Sequence, residues 1–385
     1  MPRPRSVPTL TDDQRDWLRV RRYLQDHRHE LTSTAASLYP GAPRAAGTGL
    51  LTTPEWTPDD PIPLSSVSVS WSSALRPVAV TGLDDTSAHV RPLRSDGTRY
   101  ASYAATVADL AAPAVYEDRS TYCLAGGVLS ATGGPVLRFQ PGSYFTGVNV
   151  GDACAHELVA HHLGLVDGMP LRQALGDPCD PARRPVNVAI SALTLRVDPA
   201  TGQASFPLHW RDPAKVGHAG GLYMVIPVGV FQASSDKPAH RDNDFSLWRC
   251  LLREFAEELL GASEDHGSEP IDYLAWPFAA AMTRGLSDGR IRAHVLGMGV
   301  DPLTLATDLL TVVAIDARLY DDLFGLAVHT NGEGTLAVTP ASDRGRFRFT
   351  EDLVEQLTTV EPMQAAGAAL IRLAWQHRDS LTDLG

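Results

Sequence analysis

The sequence predicts a mixed α/β (α+β) protein in two parts, and three observations carry that reading. Strand-like alternation recurs at 66–71 (SVSVSW) and 186–197 (VNVAISALTLRV). Helical periodicity dominates 11–39 and 246–261. Proline- and glycine-dense breaks stand at 54–63 (PEWTPDDPIP) and 176–185 (GDPCDPARRP), where neither helix nor central strand can run. The expected organisation is an N-terminal helix with a proline-rich connector over 1–60, a mixed α/β domain over 61–184, and a second α/β domain over 185–385.

With 44% apolar and 20% charged residues in 385, the chain can bury a core. Its net charge of −12 argues against holding nucleic acid by bulk phosphate neutralisation, so no nucleic-acid partner is expected. No apolar run reaches the length of a membrane span, so none is expected. The start, MPRPRSVPTLTDDQRDW, has arginines with no apolar stretch behind them, which predicts a cytoplasmic protein without a secretory signal. Cys123, Cys154, Cys179 and Cys250 form no CxxC pair and read as reduced thiols.

Along the chain, Trp17, Leu18, Val20, Tyr23, Leu24, Leu31 and Leu38 recur at helical spacing until Pro40-Gly41, giving one long helix or a tight helical pair. Seven arginines stand among acids in 1–30 and read as a solvated helix face. Residues 99–112 are alanine-rich and helical. Short apolar runs between glycine pairs over 121–150 suggest a small mixed sheet, and 151–164 returns to helix. A strand at 186–197, a turn at 198–203 and a returning strand at 204–212 come next. AGGLYMVIPVGVFQ (219–232) reads as a third, very apolar strand. A polar loop, 233–244, leads into the helix from about Ser246 to Leu260. Further strands are expected at 293–297 and 308–316, a two-stranded piece at 325–339, and helices at about 350–358 and 362–378.

The helix SLWRCLLREFAEELLG (246–261) carries the chemistry. Leu247, Trp248, Leu251, Leu252, Phe255 and Leu259 form one apolar face, with Glu254 and Glu258 on its flank and Glu257 one step further round. Three carboxylates within two turns repel one another, and a hard divalent cation with its oxygen-ligand preference would relieve that. The plainer reading is an amphipathic helix with a solvated acidic side and an Arg253–Glu257 pair.

Residues Arg253-Glu254-Phe255-Ala256-Glu257-Glu258 resemble the core of the Nudix box. Pro227-Val228-Gly229-Val230-Phe231-Gln232 is similar to the stretch before that family's helix, and RFRFTEDLVEQL (346–357) to its closing strand and helix. The resemblance covers roughly 185–380. It implies a Nudix-like α/β/α sandwich with a mixed sheet, and a Mg2+ or Mn2+ cradle of Glu254, Glu257 and Glu258, which are then the catalytic residues. Arg253 would orient the carboxylates and Gly229 would let the loop approach closely; both are then substrate-binding. The implied activity is metal-dependent hydrolysis of a nucleoside-diphosphate-linked compound, with a nucleotide or sugar nucleotide as the partner.

The box also calls for a glycine at 239, a glutamate at 245 and a glycine at 260; the chain has Ala239, Phe245 and Leu260, with Gly261 one position late. These departures keep an alternative open, a catalytically degenerate Nudix-like ligand-binding protein acting as a regulator. The chain also resembles bacterial proteins carrying a transcriptional-regulator label, through Asp244–Leu260, 300–310 (VDPLTLATDLL) and Glu361–Arg378. A structural role without a small ligand is the third expectation.

Other motifs point to less. In AHELVAHHLG (155–164), His161 and His162 lie about 140° and 240° round the helix from His156, the wrong geometry for a shared zinc. Arg183-Arg184 reads as part of a solvated linker, with phosphate pairing as its functional alternative. Asp301, Asp308 and Asp316 could complete a metal site, and nothing in the sequence selects among them.

Overall fold

The computed structural model describes residues 10–130, 133–211, 220–265, 267–325, 334–337, 342–343 and 345–384. The N-terminal run is a helical pair, α1 (Asp12–Asp26) and α2 (Arg28–Ser37), and Thr11 and Gln14 close a capping box at its start. Next come β1 (Ile62–Pro63), β2 (Ser68–Trp71), α3 (Tyr103–Leu110), β3 (Ser120–Val128) and β4 (Val136–Ser143). β4 lies between β2, parallel to it, and β3, antiparallel. The end of the expected 121–150 sheet is instead helix α4 (Tyr144–Val148), followed by α5 (Gly151–His162) and α6 (Pro170–Leu175).

The main sheet is built on β5 (Val188–Val197), with β6 (Ala204–Pro207) returning antiparallel to its end. The expected strand 204–212 breaks after Pro207, and β7 (His209–Arg211) joins a separate small sheet. The run 219–232 also divides. β8 (Tyr223–Met224) pairs with β7, whereas β9 (Val228–Val230) pairs with the start of β5. The loop before the acidic helix contains α7 (Pro238–Asp244), where none was expected; Pro238 sits in its first turn, the one helical position that tolerates proline.

The acidic helix α8 (Leu247–Leu260) is followed by α9 (Pro277–Ser287), β10 (Ile291–Val300), β11 (Thr307–Asp316) and α10 (Ala317–Phe324). Last come β12 (Gly334–Leu336), β13 (Ser342–Asp343), β14 (Arg346–Arg348), α11 (Glu351–Thr359), α12 (Ala365–Gln376) and α13 (Arg378–Thr382). Of the piece expected at 325–339, only β12 and its immediate flanks fall within the described residues.

Among the described residues the main sheet runs β1-β10-β11-β5-β6-β14-β13, with β9 on the other half of β5. β5 and β11 are parallel and buried on both faces, so their alternation is between two apolar sets. Ile190, Ala192, Leu309 and Val313 share a core with Leu251, Phe255 and Leu259 of α8; Leu193, Leu195, Leu310 and Val312 share one with the alanine-rich α12. The result is an α+β fold whose mixed sheet is covered by helices on both faces. Each buried leucine or phenylalanine contributes on the order of 1.5–3 kcal/mol.

The two parts of the chain are knitted together. β1 pairs with β10, the Leu51 and Val300 backbones exchange hydrogen bonds, and Cys123 bridges to Asn187. The stretch 176–185 is not solvated: Arg184 is buried, and Arg183 hydrogen-bonds the Leu175 and Ala174 carbonyls. Nor is the arginine-rich helix face wholly solvated. Arg21 and Arg28 are buried, and Arg21 donates to the Tyr103 hydroxyl. No helix among the described residues is long and apolar enough to cross a membrane.

Candidate functional site

α8 starts on a Ser246 cap and ends at Gly261, which takes the left-handed conformation (φ 68°) that a glycine adopts without strain. Its apolar face fixes its rotation against the sheet and thereby turns Glu254, Glu257 and Glu258 toward one cavity of about 790 Å3. Val228, Gly229 and Val230 of β9 line the same cavity.

Gly229 and Glu254 are in direct contact. A Cβ at 229 would lie 1.8 Å from the Glu254 carboxyl carbon, so only glycine admits the carboxylate here. Glu258 is buried and its Oε1 accepts a hydrogen bond from the Val228 N–H at 3.1 Å. Glu257 is half-buried.

The structure does not bring Arg253 to the cavity wall, although it neighbours Glu254 in sequence. The guanidinium is 3% exposed and is not among the residues lining the cavity. It donates to the Tyr273 hydroxyl at 2.8 Å and to the Gln232 carbonyl, and lies 3.8 Å from the Asp244 carboxylate. Burial opposes its charge, but Cys250, Tyr273 and Asp244 outweigh burial and hold its pKa above the ordinary arginine value. Its place in the structure is to anchor the 232–245 loop.

The departures at 239 and 245 have visible causes. Ala239 is an exposed residue of α7. Phe245 joins an aromatic cluster, with ring centroids 4.9 Å from Tyr122, 5.7 Å from Phe231 and 5.8 Å from Trp71.

The remaining walls come from both parts of the chain: Tyr144, Gly147 and Asp152 before residue 185, and Asn187, Arg211 and Asp308 after it. Arg211 carries no signal in the sequence, since a lone arginine on a strand is not distinctive. Arg184 also lines the cavity while 4% exposed. It donates to the Pro178 and Pro185 carbonyls and to Thr307 Oγ1 at 2.9 Å. Among the described residues no carboxylate pairs with it, and burial lowers its pKa to about 10.

Of the three aspartates flagged between 301 and 316, only Asp308 lines the cavity. Asp301 accepts from the Leu303 and Thr304 amides, and Asp316 caps α10. In α5, Glu157 accepts from the Leu171 and Arg172 amides and so caps α6, while His156 stacks on Trp17. All four cysteines are free and buried.

Carboxylate oxygens suit hard cations. Among the described residues, however, no three His, Cys, Asp or Glu side chains are placed to hold a metal ion. Glu258 is partly engaged by Val228, and Glu254 is pressed onto Gly229. The three glutamates thus line one wall without forming an all-protein metal cage. Compared with known proteins, the chain matches no family model, and no curated protein matches it.

Proposed function

We propose that this cavity binds a small anionic ligand, of the nucleotide or sugar-nucleotide kind. One observation carries the reading: a buried guanidinium, Arg184, lines a cavity of about 790 Å3, and among the described residues its hydrogen bonds go only to uncharged oxygens. A buried cation without a counter-charge is costly, and an anion in the cavity offsets that cost. The volume falls within the range of about 300–1,000 Å3 typical of small-molecule sites. Binding without turnover is what a ligand-responsive regulator needs.

A second reading, Mg2+- or Mn2+-dependent hydrolysis of a nucleoside-diphosphate-linked compound, is favoured by the common orientation of Glu254, Glu257 and Glu258 toward the cavity. It requires the cation to arrive with the ligand's phosphates, as magnesium commonly does.

Titration of the full-length protein with pyrophosphate, nucleoside diphosphates and their sugar conjugates, with Mg2+ or with a chelator, tests both. A ligand at a hundredfold excess over Kd stabilises the native state by about 2.7 kcal/mol. Metal-independent binding that leaves the ligand intact supports the binding reading, and gel shifts with and without that ligand test its regulatory form. Turnover abolished by Glu257→Gln supports the hydrolase. If no probe binds, both readings fall.

A further inference from the structure

Resting on that binding reading, we propose that Asp308 is the cavity's specificity residue, whose unpaired carboxyl oxygen accepts a hydrogen bond from a hydroxyl on the sugar end of the ligand. Asp308 sits in β11, opposite Ala189 of β5 in a parallel register, so the two central strands fix its position. It lines the cavity yet is only 2% exposed. Its Oδ1 accepts from Ser191 Oγ at 2.7 Å, while its Oδ2 is buried with no hydrogen-bond partner among the described residues.

Folding does not account for that oxygen. A buried acceptor left unmade is costly, and no basic side chain is among the groups that act on this carboxyl. A ligand donor reaching the same wall would satisfy it.

The surroundings select the kind of donor. Burial, reinforced by Asp301, raises the carboxyl to about 7, with Ser191 and Gln364 opposing the rise. Near neutral pH the group is therefore partly neutral, and an uncharged hydroxyl suits both of its forms. A charged phosphate oxygen would instead be repelled by the ionised form. Arg184 and Asp308 consequently divide the ligand, the anionic part going to the guanidinium and the hydroxylated part to the carboxyl.

Calorimetric titration of the full-length protein with pyrophosphate, UDP, ADP, UDP-glucose and ADP-ribose separates the ideas. At least one sugar-bearing ligand is expected to bind wild type tenfold or more tightly than its parent diphosphate. Asp308→Leu should abolish that advantage without weakening the binding of pyrophosphate or the parent diphosphate by more than about twofold. Asp308→Asn, which keeps the shape and an acceptor oxygen, should retain most of it. The Asp308 assignment is overturned if wild type shows no sugar advantage, or if the advantage survives in Asp308→Leu. Should wild type bind none of the five, the cavity reading itself is wrong and the assignment goes with it. If Asp308→Leu does not fold, Asp308→Asn decides: a loss of pyrophosphate binding in a folded Asn variant overturns the division between Arg184 and Asp308.

Discussion

Arg253 and Asp244 face each other at 3.8 Å inside the protein, with the Tyr273 hydroxyl 2.8 Å from the guanidinium and 2.9 Å from the carboxylate. Asp244 also accepts from the Ser234 N–H and hydroxyl, so one buried carboxylate joins the start of α8 to the loop after β9. Burial would raise the Asp244 pKa, but the Ser234 hydrogen bonds, Arg253 and Tyr273 together hold it below the ordinary carboxylate value.

Removing either charge leaves the other stranded. Arg253→Met and Asp244→Leu are each expected to cost about 3–5 kcal/mol in denaturant unfolding. The double variant should cost clearly less than their sum. Tyr273→Phe, which deletes only the bridging hydroxyl, should cost about 1 kcal/mol.

Gly229→Ala places a methyl group on the Glu254 carboxyl. Either the strand or the side chain must move, at about 1–3 kcal/mol of stability. Ligand affinity should drop at least tenfold, measured by titration, and Gly49→Ala, where an added Cβ meets nothing within 4 Å and which does not line the cavity, serves as the comparison variant.

Stability should respond to pH through Asp308. The native state holds its proton up to about pH 7, while an ordinary aspartate with pKa 3.8 has released it. Between about pH 4 and 7 the native state therefore binds more protons than the unfolded chain, and this residue's contribution falls as pH rises. Asp308→Asn removes the titration. Its stability relative to wild type should rise by roughly 1 kcal/mol or more between pH 5 and pH 8, and a pH-independent difference would contradict the assignment.

Phe245→Glu restores the carboxylate that the box resemblance calls for, but puts it among Tyr122, Phe139 and Phe231. The lost packing and the buried charge should cost about 3 kcal/mol or more by chemical denaturation. No gain in metal-dependent turnover is expected.

The strands and helices that carry strong periodicity were legible in the sequence. β5, β11 and α8 lie within a few residues of their expected bounds, because their burial pattern repeats along their whole length. The runs 204–212 and 219–232 read as single strands and divide between two sheets, since apolar content does not reveal where a chain changes partners. In the site, the orientation of the three glutamates followed from the α8 stripe. Arg184 and Asp308 became distinctive only through what surrounds them. A two-arginine stretch between prolines reads as solvated, and one aspartate among three reads like the others, until tertiary packing leaves, among the described residues, one buried group without a counter-charge and one buried oxygen of another without a donor.

The shared origin of the cavity walls has a consequence for handling the molecule. Cutting the chain at residue 185 would bare the edge of β10 that β1 covers and remove Tyr144, Gly147 and Asp152 from the ligand's surroundings. A fragment beginning there would present an unprotected sheet edge, a known invitation to aggregation. Coexpressed halves, by contrast, should reassemble around the common core, and their association offers a way to detect occupancy of the cavity without following any reaction.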